Sequence, residues 1–363
     1  MKFTKLFLLL IAGLQCFSIA DNANAGHGPL SSPDIGANFL GLYRRGMGPA
    51  MNNRTAVVHK GFSLQEAEFQ FNADVDPYLK ANILFALAQN AGTSDYKLDP
   101  EEVFVETISL PVVTFKLGKF KTAIGKHNTL HTHAYPFIDA PLIHFNLLGD
   151  EGLNEPGVSG AVLLPAPWYS EITLQAVGTG NDTFFKSAKS KDVANVSHFK
   201  NLFDLSDDLT MELGLSGVVG RNQYDNNSRL WGNDLTFKWR PSVGGKYHAL
   251  IWSTEYLNGN IKGASDANSG LDTSKLSGYA SWVQYQFAER WWVQARGETS
   301  GLTHSPGLTR TNKQSALLGF FPSEFSGIRF QYDRLKAQGA ATTNQVFTVQ
   351  YNVSIGAHPA HNY

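Results

Sequence analysis

The chain has 363 residues and a formal net charge of −1 at pH 7, so its bulk charge gives no case for nucleic-acid binding. It is rich in glycine (34 residues) and in aromatic residues (12%), and its single cysteine, Cys16, excludes a disulfide framework. No run of about 18 or more apolar residues follows the first segment, so no transmembrane helix is predicted.

Residues 1–25 are predicted to be a secretory signal peptide. Lys2 and Lys5 give the start a positive charge, and an apolar run over 6–12 follows. An Ala-x-Ala cleavage signal then lies at 23–25. We therefore expect export and removal of this segment.

The rest of the chain alternates apolar and polar residues with a period of two. The clearest case is 66–75, where Phe69 and Phe71 share one face while Glu66 and Glu68 share the other. Such segments have the length of about 10 residues that a tilted strand needs to cross a bilayer. In chain order the predicted strands are 35–43, 62–75, 78–87, 103–110, 113–124, 158–164, 169–177, 196–205, 209–219, 229–240, 247–257, 276–287, 291–299, 313–321, 327–334 and 345–355.

The connections between these segments alternate between short and long. Short ones hold turn residues, as in Asp76-Pro77 and Pro322-Ser323, and the longest is the third long one, 125–157. Outer-membrane barrels have short periplasmic turns and long external loops, and their strand number is even. The sequence therefore predicts an all-β fold, a closed antiparallel transmembrane β-barrel of 16 strands over 26–363.

The polar faces of the strands indicate a wet interior. In 291–299, for example, Gln294, Arg296 and Glu298 alternate with Val293 and Ala295. In a membrane barrel the apolar face contacts lipid and the polar face contacts water in the lumen. A soluble sheet would bury its apolar face beneath a second layer, and no helical segment is predicted that could supply one.

Sixteen strands and a long third external loop resemble the bacterial porins, and within them the phosphate-selective porin O/P type. The likeness is sharpest over 64–68 and 76–78, and it recurs over 117–120 and 149–157. The Leu-His-Thr-His stretch and its continuation, 130–137, resemble sequences labelled zinc-regulated TonB-dependent receptors. Those receptors carry a plug domain before the barrel, and no plug is expected here.

The porin resemblance implies that the third loop folds into the lumen and narrows it. The candidate residues of this constriction are Lys126, His127, His131, His133, Asp139, Asp150 and Glu151. Candidate pore-wall residues are Glu66, Glu68, Asp74, Lys80, Lys238, Arg240, Arg296 and Arg329. The phosphate-selective porins have rows of arginine and lysine in the lumen, and the acids in this wall depart from that pattern.

Three histidines of the third loop form the sharpest local motif. The spacing of His127, His131 and His133 is compatible with zinc or copper binding. The alternative is a polar loop whose histidines bind the wall and line the pore. No G-x-S-x-G, P-loop or H-E-x-x-H motif occurs, so we expect neither an enzyme nor a cofactor.

The sequence thus predicts a porin in the outer membrane of a Gram-negative-type bacterium, through which small hydrophilic solutes or ions diffuse passively. Two alternatives stay open: a substrate-specific channel with a metal or anion site in the third loop, and a non-conducting structural or adhesive barrel. The expected partners are outer-membrane lipid, lipopolysaccharide, the solutes and two further copies in a homotrimer, with no nucleic acid.

Overall fold

The computed structural model describes residues 33–47, 60–89, 95–181, 183–187, 189, 191–242, 247–264, 273–306 and 308–356. The predicted signal peptide lies outside these ranges. Among the described residues, no helix is both long enough and apolar enough to cross a membrane.

Sixteen strands and one short α-helix, α1 (Leu142–Leu148), form the described structure. The first eight strands are β1 (Asp34–Met47), β2 (Gly61–Asp74), β3 (Leu79–Gln89), β4 (Tyr96–Thr107), β5 (Val113–Lys121), β6 (Asn154–Leu163), β7 (Tyr169–Gly178) and β8 (Val193–Ser206). The second eight are β9 (Leu209–Arg221), β10 (Asn227–Trp239), β11 (Ala249–Lys262), β12 (Thr273–Ala288), β13 (Trp291–His304), β14 (Thr311–Ser323), β15 (Ser326–Ala337) and β16 (Asn344–Gly356).

The strands close into one ring. Each pairs antiparallel with its neighbours in chain order, and β1 pairs with β16 from Gly36 opposite Gly356 to Met47 opposite Gln345. A closed ring has no free sheet edge, so every strand finds backbone hydrogen-bond partners on both sides. The predicted closed 16-stranded antiparallel barrel is confirmed.

The two faces of the wall have the polarity of a membrane barrel. On β13 the side chains of Gln294, Arg296 and Glu298 are buried inside the ring. The apolar side chains point outward, and Leu117 on β5, for example, is 58% exposed. This arrangement inverts that of a soluble protein, and a lipid environment accounts for it because acyl chains would cover the outward face.

Several strands extend further than the alternation predicts. β4 begins at Tyr96 instead of 103, and β13 continues to His304 instead of 299. These extensions lie at the long-connection end of the ring. Beyond the lipid band both faces of a strand meet polar surroundings, so hydrogen bonding between strands continues where the apolar alternation stops.

An apolar cluster fills part of the ring interior at the long-connection end. Leu147 of α1 and the pair Phe184 and Phe185 are its centre. They pack against inward-facing wall residues of β8 to β11, which are Val196, Val218, Leu230 and Leu257. The wall makes room for them with glycine, since a Cβ atom at Gly259 would lie 2.7 Å from side-chain atoms of both Leu147 and Phe184.

Candidate functional site

The chain between β5 and β6, residues 122–153, leaves the wall and returns to it at a single point. We call it the inserted segment. Thr122 N donates to Leu153 O at 3.0 Å, which closes the segment at its base. The amide of Asn128 completes this closure, because its Nδ2 donates to Thr122 O (2.8 Å) and its Oδ1 accepts from Leu153 N (2.9 Å). The two ends of the segment therefore meet at the wall, and the segment itself extends neither β5 nor β6.

The inserted segment contacts inward-facing side chains all around the ring. It binds β2 and β4 on one side, β9 and β11 on another, and β13 to β15 on a third. A segment that touches distant strands of a closed ring through their inner faces lies inside that ring. It holds two 3₁₀ turns, His127–Thr129 and Thr132–Ala134, in addition to α1.

The contact with β13 to β15 centres on Asp139. Its Oδ1 accepts from Arg296 Nη2 at 2.8 Å and from Gln331 Nε2 at 2.7 Å, and its Oδ2 contacts Lys313 Nζ. Burial acts against ionisation, yet Arg296 and Lys313 hold the pKa of Asp139 well below its ordinary value. The nearby backbone is held too, since Leu142 N donates to Glu298 Oε2 at 2.6 Å. Here the segment carries the acid and the wall carries the bases.

The contact with β2 and β4 has the opposite polarity. His131 Nδ1 lies 2.9 Å from Glu101 Oε2, and its Nε2 lies 3.1 Å from Glu102 Oε2. His133 Nδ1 contacts Glu68 Oε2. Burial acts to lower the pKa of His131, but hydrogen bonds to Glu101 and Glu102 outweigh it and raise that pKa to about 10. His131 is therefore an imidazolium held between two wall carboxylates.

An irregularity in β4 explains how two consecutive glutamates reach the same histidine. In the pairing of β3 with β4, Leu84 lies opposite Glu102 but Phe85 lies opposite Pro100, so Glu101 is an extra residue. A β-bulge of this kind re-aims the extra side chain. Pro100 has no N–H group to give to the ladder at this point, which suits a bulge.

The contact with β9 and β11 also places acids on the wall. Lys126 Nζ lies 3.1 Å from Glu212 Oε1, and His144 Nε2 lies 2.8 Å from Glu255 Oε1. The ring of His127 lies 5.0 Å from that of His144, measured between centroids. Burial and the neighbouring His144 lower the pKa of His127 well below its ordinary value, so His127 is neutral.

The structure divides the predicted constriction residues into two groups. Lys126, His131 and Asp139 bind the wall by ion pairs, and His133 Nδ1 contacts Glu68 Oε2. His127 donates its backbone N–H to Glu255 Oε2 at 3.3 Å. Asp150 and Glu151 lie on an exposed part of the segment. The three histidines of the predicted metal set do not come together, because His127 faces His144 while His131 and His133 face β2 and β4.

The predicted wall residues also divide. Glu66, Glu68, Arg296 and Arg329 face inward and are buried, and Arg329 Nη1 donates to Tyr135 O at 2.6 Å. Asp74 and Lys80 are exposed near the short turn between β2 and β3, where Lys80 pairs with Glu106 at 2.8 Å. Lys238 and Arg240 line a cavity at the short-turn end of the ring.

Wall residues that bind the segment but were not among the sequence candidates are Glu101, Glu102, Glu212, Glu255, Glu298, Lys313 and Gln331. Glu298 follows the alternation of its strand, but Lys313 stands between the polar residues Asn312 and Gln314, so no alternation assigns Lys313 a face. The alternation could not have assigned Glu101 to the inner face, because the bulge breaks the period of two at this residue.

The cavity at the short-turn end has a volume of about 1100 Å³. Its inner limit is formed by residues 133–136 of the inserted segment. Cationic side chains (Lys238, Arg240 and Arg329) and amides (Gln284, Gln294 and Asn352) contribute to its wall, and Trp292 faces it too. Asp207, Asp208 and Glu324 lie in the short turns around it.

Comparison with solved structures shows that this barrel has the porin fold. The outer-membrane channel DcaP of Acinetobacter baumannii is similar with a TM-score of 0.62 at 13% identity, covering 89% of this chain and 97% of that one. The trimer form of Vibrio cholerae OmpT (TM-score 0.56, 8% identity, 89% and 99% covered) and the anion-selective porin of Comamonas acidovorans (0.56, 10%, 89% and 98%) are similar too.

Sequence comparison identifies a relative in Aquifex aeolicus. It is an uncharacterized protein that is 28% identical over 342 residues, which are 84% of this chain and 70% of the relative. No protein-family model matches the sequence.

Proposed function

We propose that this protein is an outer-membrane channel through which small hydrophilic solutes cross by passive diffusion, with the inserted segment as its constriction. The observation that carries the proposal is the closed ring with apolar side chains outside and charged and amide side chains inside. Sixteen strands enclose enough space for an aqueous channel, whereas eight would be filled by side chains. The porin fold of the similar structures supports the same function.

The solute path of this proposal starts in the cavity at the short-turn end and meets the inserted segment at residues 133–136. Lys238, Arg240 and Arg329 line the cavity together with Asp207, Asp208 and Glu324. The three acids lie in the short turns, whereas Lys238 and Arg329 lie on strands inside the ring, so we propose a weak preference for anions over cations. The likeness to the phosphate-selective O/P type extends this proposal to phosphate. The buried acids Glu66 and Glu68 act against strong anion selectivity.

The proposal includes the setting of the channel. Residues 1–25 are removed on export, and the barrel lies in the outer membrane in contact with lipid and lipopolysaccharide. Since one similar structure is a trimer form of Vibrio cholerae OmpT, we propose a homotrimer.

Planar-bilayer recording of the refolded protein tests the channel. We expect discrete conductance steps with a linear current–voltage relation, and a reversal potential in a KCl gradient that favours chloride. Replacing chloride with phosphate tests the likeness to the phosphate-selective O/P type, because a channel that passes phosphate should keep a measurable current. A folded, heat-modifiable protein that inserts without any conductance step would contradict the proposal.

A second candidate is a barrel that does not conduct. It is favoured by the apolar cluster of α1, Phe184 and Phe185, which occupies the long-connection end of the interior. This candidate predicts closed wild-type barrels and conducting variants in which the inserted segment is deleted. A constriction predicts conductance in both.

A further inference from the structure

Next to the contact with β2 and β4 lies a compact group of possible metal ligands. Glu68, Glu101 and His131 each offer one ligand atom, and these three atoms lie within 4.8 Å of one another. His133 adjoins them, because its Nδ1 contacts Glu68 Oε2. The rings of His131 and His133 are parallel within 3°, with centroids 6.0 Å apart, so the two imidazoles are neighbours.

One carboxylate of this group has acceptor capacity that the protein does not use. Glu68 is 1% exposed, and its Oε1 atom accepts no hydrogen bond from any donor in the described part of the chain. Glu101 is 2% exposed and lies beside Glu151. A buried carboxylate oxygen without a partner is costly, so its persistence inside a barrel points to a ligand that is cationic.

Further acids surround the group. Glu66 and Glu151 adjoin Glu101, and Glu102 shares His131 with it. Carboxylates that crowd together in a buried place repel one another when ionised, and a bound divalent cation removes that repulsion.

We propose that this site binds a divalent transition metal ion of the zinc type, with Glu68, Glu101, His131 and His133 as its ligands. Two imidazole nitrogens and two carboxylate oxygens form a donor set that suits Zn²⁺, whereas Ca²⁺ and Mg²⁺ prefer oxygen alone. Bonds of about 2.0–2.2 Å require the ligand atoms to draw together and His131 to release a proton. The metal would tie the inserted segment to β2 and β4.

The proposed metal site is argued from the fold and from these contacts, so it does not depend on whether the barrel conducts. Its test is titration calorimetry of the full refolded protein in detergent, stripped with EDTA, with ZnCl₂ as the probe. We expect one tight Zn²⁺ per chain with release of protons to the buffer. MgCl₂ at the same concentration should give no comparable binding.

Ligand variants decide between this site and other histidines of the chain. Glu68→Gln and His131→Gln keep the size of the side chain, and each should weaken Zn²⁺ binding by more than about tenfold, as loss of even a supporting residue does in known sites. His248→Gln is the matched control, because His248 is exposed near the short-turn end and should leave binding unchanged. Heat-modifiable migration on gels shows that each variant is folded.

X-ray absorption at the zinc edge provides the second readout. Two imidazole and two carboxylate ligands are expected for the wild type. Unchanged affinity in folded Glu68→Gln and His131→Gln proteins would overturn the proposal, as would a spectrum with imidazole ligands alone. A failure to conduct in bilayers would contradict the proposed channel and leave this result intact.

Discussion

The wall and the inserted segment lie within one barrel but depend on different interactions. The wall is held by a continuous ladder of backbone hydrogen bonds. This ladder requires only that outward side chains are apolar and inward ones polar, and it does not depend on their exact identity. The segment is held largely by side-chain contacts, with Asp139 bound to Arg296 and Lys313 on one side and His131 bound to Glu101 and Glu102 on the other. Changes of single residues should therefore move the segment without opening the ring.

The two attachments of the segment also differ from each other. Near β13 to β15 a segment acid meets wall bases, and near β2 and β4 segment histidines meet wall acids. Repulsion penalises any shift that would bring Asp139 toward Glu68 or Glu101, since like charges would meet in a buried site. The opposed polarities thus fix the orientation of the segment as well as its position.

The largest effect is expected from deleting the segment. Replacing 126–151 by a short Gly-Ser link should keep the ring intact, because Thr122 and Leu153 already meet and Lys121 pairs with Asn154. We expect a several-fold rise in single-channel conductance with unchanged heat-modifiable migration. A deletion variant that fails to refold would show that the wall depends on the segment, contrary to the comparison.

Asp139→Asn is expected to have the next largest effect. It leaves Arg296 and Lys313 with the acids of the wall alone, so the attachment to β13 to β15 weakens. Conductance should fluctuate between the wild-type level and that of the deletion variant. Asp150→Asn removes one negative charge from an exposed position of the same segment and should behave like wild type. Equal behaviour of both variants would show that charge alone, not the attachment, is responsible.

The attachment of His131 predicts a dependence on pH. Its pKa is raised from 6.5 to about 10, so the attachment is complete below about pH 6.5 and is lost as pH rises through about 10. We expect the conductance of the wild type, stripped of metal with EDTA, to increase between pH 8 and 11, because a bound Zn²⁺ would already have displaced the His131 proton. His131→Gln should lack this step, because it has no proton to lose. A step of equal size in both proteins would assign the titration to another group.

The smallest effect is expected at Gly259. A methyl group there would meet Leu147 and Phe184 at 2.7 Å and loosen α1 locally, at a cost of about 1–3 kcal/mol. Hydrogen exchange of 142–148 and 183–187 should accelerate in Gly259→Ala while the strands remain protected. Gly297→Ala is the control, since nothing lies within 4 Å of the added atom on the outward face. Faster exchange throughout the wall in Gly259→Ala would contradict the separation of wall and segment.

The sequence predicted those features that depend on residues close together in the chain. The alternation in 291–299 correctly assigned Arg296 and Glu298 to the inner face, because the strand period acts locally. The turn at Asp76 was equally local, since Asp76 Oδ1 accepts from Tyr78 N and Leu79 N at 2.8 Å each. The helix α1 was not predicted, because seven residues in a loop are helical only where the interior receives their apolar face.

The partners within the site could not be predicted from the sequence. Asp139 and Lys313 are 174 residues apart in the chain, and no local pattern relates them. Glu101 turns inward only because the pairing of β3 with β4 skips it, which a count along one strand does not show. Even the histidine motif was divided, with His127 near His144 and His131 near the glutamates.

By itself the sequence determined the closed barrel, its 16 strands and the polarity of its two faces. Each of these follows from which neighbouring residues are apolar and from the rule that lipid leaves no backbone group unpaired. Only the tertiary structure decided which charges meet inside the ring. Those pairs depend on strand register, on a single bulge and on the path of the inserted segment, and they join residues that the chain keeps far apart.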